Sequence, residues 1–323
     1  MGLNMIDYTK CKLYGINSKK YLLFLLHMDK CFLRQSYCLK EYSPFLKEQN
    51  GKKRLIENPS QNLKKIQTII KNHLSELDIP ENVFSGVKKR SYITNAKYHQ
   101  NSNYLLATDI SGFFPSISRE KVFNFFNKKL NCSADVSAVL TNLTTINVNR
   151  SYYGNYDDIS TFLHSKNIKT FNHLVSGAPT SQLLSYLANI DLFDELQNLS
   201  DKHKIKMSIY VDDVTFSSKY PIPKFFKNKV EKIFNYYGYN LSKSKVKTFR
   251  NKEVKLVTGI AITPNHKIKI KNSLSRRTII SFKKYKLNPT HEEKLRLKGL
   301  VTACRQIDKS AFPSIKKYIF EKD

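Results

Sequence analysis

Residues 207–218 read Met207-Ser208-Ile209-Tyr210-Val211-Asp212-Asp213-Val214-Thr215-Phe216-Ser217-Ser218, two β-forming runs on either side of a pair of carboxylates. Short turns between strands normally offer Asn-Gly or Asp-Gly. Two adjacent Asp residues repel each other there, and a bound cation would offset that repulsion. The pattern predicts two short strands with Asp212 and Asp213 at the bend.

About a hundred residues upstream, Tyr104–Thr108 gives another strand signal, and it ends on Asp109. A third carboxylate at a strand end could join the first two. Hard oxygen ligands from a few carboxylates suit Mg²⁺, with substrate phosphates completing its octahedron. Two such ions about 4 Å apart serve phosphoryl transfer by activating the attacking hydroxyl and stabilising the leaving group. Chemistry alone leaves an alternative open, a solvated acidic turn plus an unrelated strand-end Asp.

Composition narrows the partners. The 323 residues include 55 Lys and Arg against 26 Asp and Glu, a formal charge of +29. That self-repulsion opposes compaction unless a polyanion neutralises it. The basic residues run along the whole chain, as expected for several walls of a nucleic-acid channel rather than one basic tail. An anionic membrane surface and a merely soluble basic protein are the weaker alternatives. With 41% apolar residues the chain can bury a core. Five cysteines, at 11, 31, 38, 132 and 304, form no CxxC pair, so reduced thiols are expected and neither a zinc site nor a disulfide framework. The longest early apolar run, Tyr21–Leu26, is too short for a membrane span, and a cytoplasmic protein is expected.

Along the chain, residues 1–50 read as helical and lysine-rich. Leu63, Ile66, Ile70 and Leu74 recur at helical spacing behind Asn58-Pro59-Ser60. Ser118 is placed to cap a helix with Val122, Phe125, Phe126 and Leu130 on one face. One further helix is expected over 180–199. Another, over 224–237, has Phe226, Val230, Ile233 and Tyr237 on one face and Gly238 to end it. Residues 254–271 read as a β pair, and the remainder as a basic helical region.

Four segments around the carboxylates carry a family resemblance. Thr108-Asp109-Ile110-Ser111-Gly112-Phe113-Phe114-Pro115-Ser116-Ile117 resembles motif A of reverse transcriptases. Ser176-Gly177-Ala178-Pro179-Thr180-Ser181 with Ala188-Asn189 resembles motif B, and Tyr210-Val211-Asp212-Asp213 motif C. Gly238-Tyr239-Asn240-Leu241-Ser242 leading to Lys245 resembles motif D. Asn95-Ala96-Lys97-Tyr98-His99 and Val257-Thr258-Gly259 are similar to the NAxxH and VTG signatures of retron enzymes. The resemblance covers residues from about 50 to 271. It departs at Ser176, where relatives carry Gln, at Gln182 in place of the last Pro of motif B, and at Val246 beside Lys245.

The resemblance implies an α+β right-hand polymerase with an antiparallel palm sheet. Fingers would occupy 1–105, palm 106–271 and an RNA-binding thumb 272–323. It implies that Asp109, Asp212 and Asp213 bind two Mg²⁺ ions, and that Lys245 is a candidate general acid. Arg54 and Lys53 would grip the dNTP triphosphate, Phe114 would exclude a ribose 2′-hydroxyl, and Gly177 would let backbone approach the nucleotide. Asn95, His99, Val257, Thr258 and Gly259, with Arg276, Arg277, Lys283 and Lys284, are the expected RNA contacts. Bland readings stand beside these: a core phenylalanine, a solvated basic loop, a plain turn glycine.

The implied reaction copies a cognate msr–msd-type noncoding RNA, from the 2′-hydroxyl of a guanosine, into branched single-stranded msDNA. The implied setting is antiphage defence beside a separate effector protein, with no membrane partner. Two readings compete. One is another bacterial reverse transcriptase, of group II intron or non-retron defence type. The other is a catalytically inactive RNA-binding scaffold, which the presence of all three carboxylates opposes.

Overall fold

The computed structural model describes residues 6–49 and 51–320. Its first departure from expectation lies in the region read as helical. Short helices do occupy its start, including Lys19–Leu26 and Gln35–Lys40, but Tyr42–Gln49 (β1) and Lys52–Pro59 (β2) pair antiparallel as a hairpin. The helix that follows, Gln61–Leu74, is capped by Ser60, whose hydroxyl accepts from the Leu63 N–H. It buries Leu63, Ile66, Ile70 and Leu74, the face its spacing predicted.

A short helix, Tyr92–Tyr98, leads into Tyr104–Asp109 (β3). Thr145–Asn147 (β4) and Asn172–Leu174 (β5) form a small antiparallel pair. The helix expected over 180–199 is two, Ser181–Leu187 and Ile190–Lys202, broken at Ala188-Asn189. Lys206–Tyr210 (β6) and Asp213–Ser218 (β7) follow, then the helix Lys224–Tyr236, which buries Phe226, Val230 and Phe234. Ile233 and Tyr237, placed on that face by the sequence reading, are only partly buried. Lys247–Phe249 (β8) completes the central sheet. The expected β pair at 254–271 is three short antiparallel strands, Lys255–Val257 (β9), Ile260–Ile262 (β10) and Ile268–Ile270 (β11).

The central sheet runs β6-β7-β3-β8, antiparallel throughout. Because side chains alternate across a strand, β3 feeds two cores. Leu106 joins the main one with Val214, Phe216, Phe226 and Val230. Leu105 joins a smaller one with Ala96, Val257, Ile260 and Ile262. Both faces of β3 are therefore covered, which leaves its end to serve a site. The last three helices, Asn272–Leu287, His291–Ile307 and Pro313–Phe320, bury Leu297, Val301, Ile315 and Ile319 in a third cluster of their own. The architecture is α+β with antiparallel sheets.

Candidate active site

The register of the central sheet assembles the carboxylates. Asp109 is the last residue of β3 and pairs across the ladder with Asp213, the first of β7. Tyr210 pairs with Asp213, so Val211 and Asp212 alone make the turn. Carboxylate oxygens of Asp109, Asp212 and Asp213 all lie within 4.8 Å of one another.

That turn is strained. Val211 sits at φ +57°, in the left-handed region a β-branched residue rarely enters. Such conformations persist where neighbours over-determine them. Here the Val211 N–H donates to Ser85 Oγ at 2.9 Å. The Phe84 N–H donates to the Ile209 carbonyl, and the Ile110 N–H to the Asp212 carbonyl. The backbone on both sides of Asp212 is thus held by the segment before the Tyr92 helix and by the end of β3.

Electrostatics report the crowding. Burial, then the charges of Asp212 and Asp109, push Asp213 up to about 7, against a pull from Lys245. Burial and then Asp109 raise Asp212, opposed by Lys245 and Arg54. The Lys245 ammonium meets Asp109 Oδ2 at 2.5 Å. Its segment is fixed to the same strand end, since the Ser242 N–H donates to the Asp109 carbonyl and the Ser111 N–H to that of Asn240. Three hard oxygen donors that repel one another are the chemistry a divalent cation relieves, so the residues fit a metal of that kind.

Of the other expected nucleotide-site residues, Arg54 acts on this centre. Arg54 and Lys53 are exposed on β2, with Arg54 close enough to act on Asp212. Phe113 is buried against Tyr239 and leaves Phe114 the more open of the two rings. Gly177 makes its close approach to protein, since a Cβ there would lie 2.6 Å from the Glu57 carbonyl oxygen.

Three of the expected RNA contacts are buried within the fold. His99 is fully buried, its two ring nitrogens each 2.7 Å from Ser217 and Ser208 hydroxyls on β7 and β6. Burial, with a smaller push from Lys206, lowers its pKa to about 3, so it is a neutral fastener of the sheet. Asn95 and Val257 are buried too. Thr258 and Gly259, both at positive φ, form the two-residue turn between β9 and β10. The Thr258 hydroxyl donates to the Tyr92 carbonyl at 2.9 Å. The helix Tyr92–Tyr98, which carries most of the first signature, and the Thr258 turn therefore brace each other, and of the five residues only Thr258 and Gly259 reach solvent. Arg276, Arg277, Lys283 and Lys284 are exposed, although Lys284 pairs with Glu293 at 2.5 Å.

Sequence reasoning missed two groups. Lys121 Nζ donates to the Tyr237 carbonyl at 2.8 Å and the Tyr239 hydroxyl at 2.9 Å. Tyr239 in turn donates to Asn189 Oδ1 at 2.6 Å, and burial pushes Lys121 down to about 8. The other is a buried Glu57–His173 pair. Neither carries a sequence signal, because a lone Lys or Glu in a helical or basic stretch reads as solvated.

Comparison with known proteins agrees with this geometry. The family model for reverse transcriptase (RNA-dependent DNA polymerase) matches residues 45–262, more than half of the chain. The chain is similar to the Retron Se72 reverse transcriptase of Salmonella heidelberg, 30% identical over 212 residues, covering 63% of this chain and 49% of that protein. It is also similar to the Escherichia coli Retron Ec83 reverse transcriptase, 26% identical over 82% of this chain and 86% of that one. The Retron Ec86 reverse transcriptase of the same species is 24% identical over 67% of this chain and 57% of its own length. The chain thus spans about half the length of the Salmonella relative and most of Ec83. Among the described residues, no helix is long and apolar enough to cross a membrane. A catalytic-type carboxylate cluster at paired strand ends, inside a sequence match of this extent, places the chain in the reverse transcriptase (RNA-dependent DNA polymerase) family, among its retron-type members.

Proposed function

We propose that this chain is an RNA-directed DNA polymerase that copies a cognate structured noncoding RNA into branched msDNA. The observation that carries the reading is the convergence of Asp109, Asp212 and Asp213 at paired strand ends. A right hand is the natural division: fingers over 1–105, palm over 106–271 and thumb over 272–323. The separate core of the last three helices supports the final boundary.

Asp109, Asp212 and Asp213 would hold divalent metal, two Mg²⁺ ions by the hardness of the donors, supplying charge to a priming hydroxyl and to the triphosphate. Arg54 and Lys53 bind the triphosphate, and Arg54's planar fork suits phosphate. Lys245, already held at Asp109, carries a proton to the departing pyrophosphate. Phe114 blocks a ribose 2′-hydroxyl, and the backbone at Gly177 approaches the nucleotide. Template RNA, dNTPs, the DNA product and a separate effector protein are the proposed partners, in a cytoplasmic antiphage setting.

Primer extension tests the reading. Asp212→Asn keeps the shape and removes one charge, and DNA synthesis should fall at least about a thousandfold, roughly 4 kcal/mol in barrier. RNA binding should survive. Near-normal synthesis at saturating Mg²⁺ would sink the assignment. In the same assay, Phe114→Ala should raise the rNTP-to-dNTP ratio, and an unchanged ratio removes the gate from Phe114.

A further inference from the structure

The hairpin that carries Arg54 and Lys53 has only a two-stranded ladder of its own. Along β2, Leu55, Glu57 and Pro59 are buried while Arg54 and Asn58 are exposed, so Glu57 is on the inward side. A carboxylate there is unusual. Glu57 and His173 are both 0% exposed, and Glu57 Oε1 lies 2.6 Å from His173 Nε2. Glu57 Oε2 accepts the Ser176 N–H at 2.9 Å. The Glu57 N–H donates to Ser176 Oγ at 3.2 Å, and that hydroxyl donates to the Leu55 carbonyl at 3.1 Å. Beside these bonds, the missing Cβ of Gly177 leaves the room that the Glu57 carbonyl fills.

His173 is itself tied to a third segment. It bridges Ser118, and the Leu174 N–H donates to the Ile117 carbonyl at 2.9 Å, just beyond the short helix Phe113–Ser116 that bears Phe114. An inward-facing charge is costly unless paired, and apolar side chains of similar volume often serve stability as well. What apolar packing does not give is direction. Two carboxylate bonds and a reciprocal backbone–hydroxyl exchange fix the height and tilt of β2 against its neighbours.

We propose that Glu57, with His173 and Ser176, is the positioning device that holds the nucleotide-gripping hairpin in register with the segments bearing Phe114 and Gly177. This rests on the polymerase reading above and names residues that act through Arg54 rather than on the substrate. It also gives the Ser at 176 a use. A hydroxyl that accepts from the Glu57 N–H and donates to the Leu55 carbonyl completes the clasp.

Steady-state incorporation on an annealed primer–template, with the full chain, separates this role from a structural one. Glu57→Ala should raise the dNTP KM at least about tenfold while kcat falls less than about threefold. Glu57→Gln, which has the same shape and still accepts the Ser176 N–H, should return KM to within about threefold of wild type. Ser176→Ala should lie between them, with the KM for primer–template unchanged throughout. A dNTP KM that stays within twofold in Ser176→Ala and in the Glu57 variants overturns the proposal. So does a loss of kcat that only tracks the folded fraction in parallel melting curves. If Glu57→Ala fails to fold, Ser176→Ala decides alone, since it removes one hydroxyl and leaves no unpaired charge. Wild-type protein that incorporates no dNTP would refute the polymerase reading itself, a separately visible failure.

Discussion

At the scale of single residues, the molecule spends strain and repulsion in one place. Val211 holds a left-handed conformation in the two-residue turn, and Asp213, the strand residue that follows that turn, has been lifted to about 7. A raised acid has a definite sign for stability. Between about pH 4 and 7 the folded chain keeps a proton on Asp213 that the unfolded chain has lost. Stability without metal should therefore fall as pH rises through that window and stay low above it. Asp213→Asn removes the penalty, so at pH 8 in EDTA it should unfold at higher urea, by on the order of 1–3 kcal/mol after discounting for solvent access. At pH 4 the two proteins should be nearly equal. Mg²⁺ should then stabilise wild type more than the variant, because binding to the folded state adds stability by mass action. A variant less stable than wild type at pH 8 in EDTA would mean that the attraction of Asp213 to Lys245 outweighs its burial and repulsion.

At the scale of elements, the sequence was legible wherever local pattern and tertiary fate agree. Strands β3, β6 and β7 and the helix Gln61–Leu74 follow from alternation, spacing and a Ser cap, and with them come all three carboxylates. The hairpin β1–β2 was missed although Asn50-Gly51, a strong turn signal, stands between its strands. Pro44, Lys47 and Glu48 are poor strand formers, tolerated because β1 pairs on one side only. The break at Ala188-Asn189 is hidden by an apolar pattern that continues through it. Burial of His99 was equally illegible, since its two serine partners lie more than a hundred residues away. The meeting of β2 with the segment at 176–177 makes an element-scale prediction. Gly177→Ala places a Cβ against backbone that cannot swing aside, so it should destabilise by about 1–3 kcal/mol. Gly154→Ala, with nothing within 4 Å, should stay within about 0.5 kcal/mol. Urea unfolding of both proteins checks the pair, and equal stabilities would show that the hairpin gives way freely.

At the scale of the whole molecule, a charge of +29 has to be divided between affinity and choice. Backbone neutralisation gives affinity that weakens steeply with salt and carries no sequence information. Discrimination among RNAs needs loops or unpaired bases, held on aromatic rings and hydrogen-bonded at their edges. The last three helices combine both kinds of group. Arg276, Arg277 and Lys283 are exposed, and Phe282, Tyr285 and Tyr318 meet edge to face beneath Lys286. These helices have their own core, and Tyr92, which holds the Thr258 turn, reaches Gln306 across to them at 3.3 Å. Lys284 is better left alone in a test, because its ammonium already joins two of the helices through Glu293. The variant to make is Arg276→Ala, Arg277→Ala, Lys283→Ala. On the cognate RNA it should lose branched-DNA production, and the slope of log affinity against log salt should shrink by roughly two units if three phosphate contacts go. On an annealed generic primer–template it should keep most of its extension activity, since the carboxylate cluster and the β1–β2 hairpin lie elsewhere in the chain. Equal loss on both substrates would make these helices a general duplex clamp and would move RNA choice to another surface.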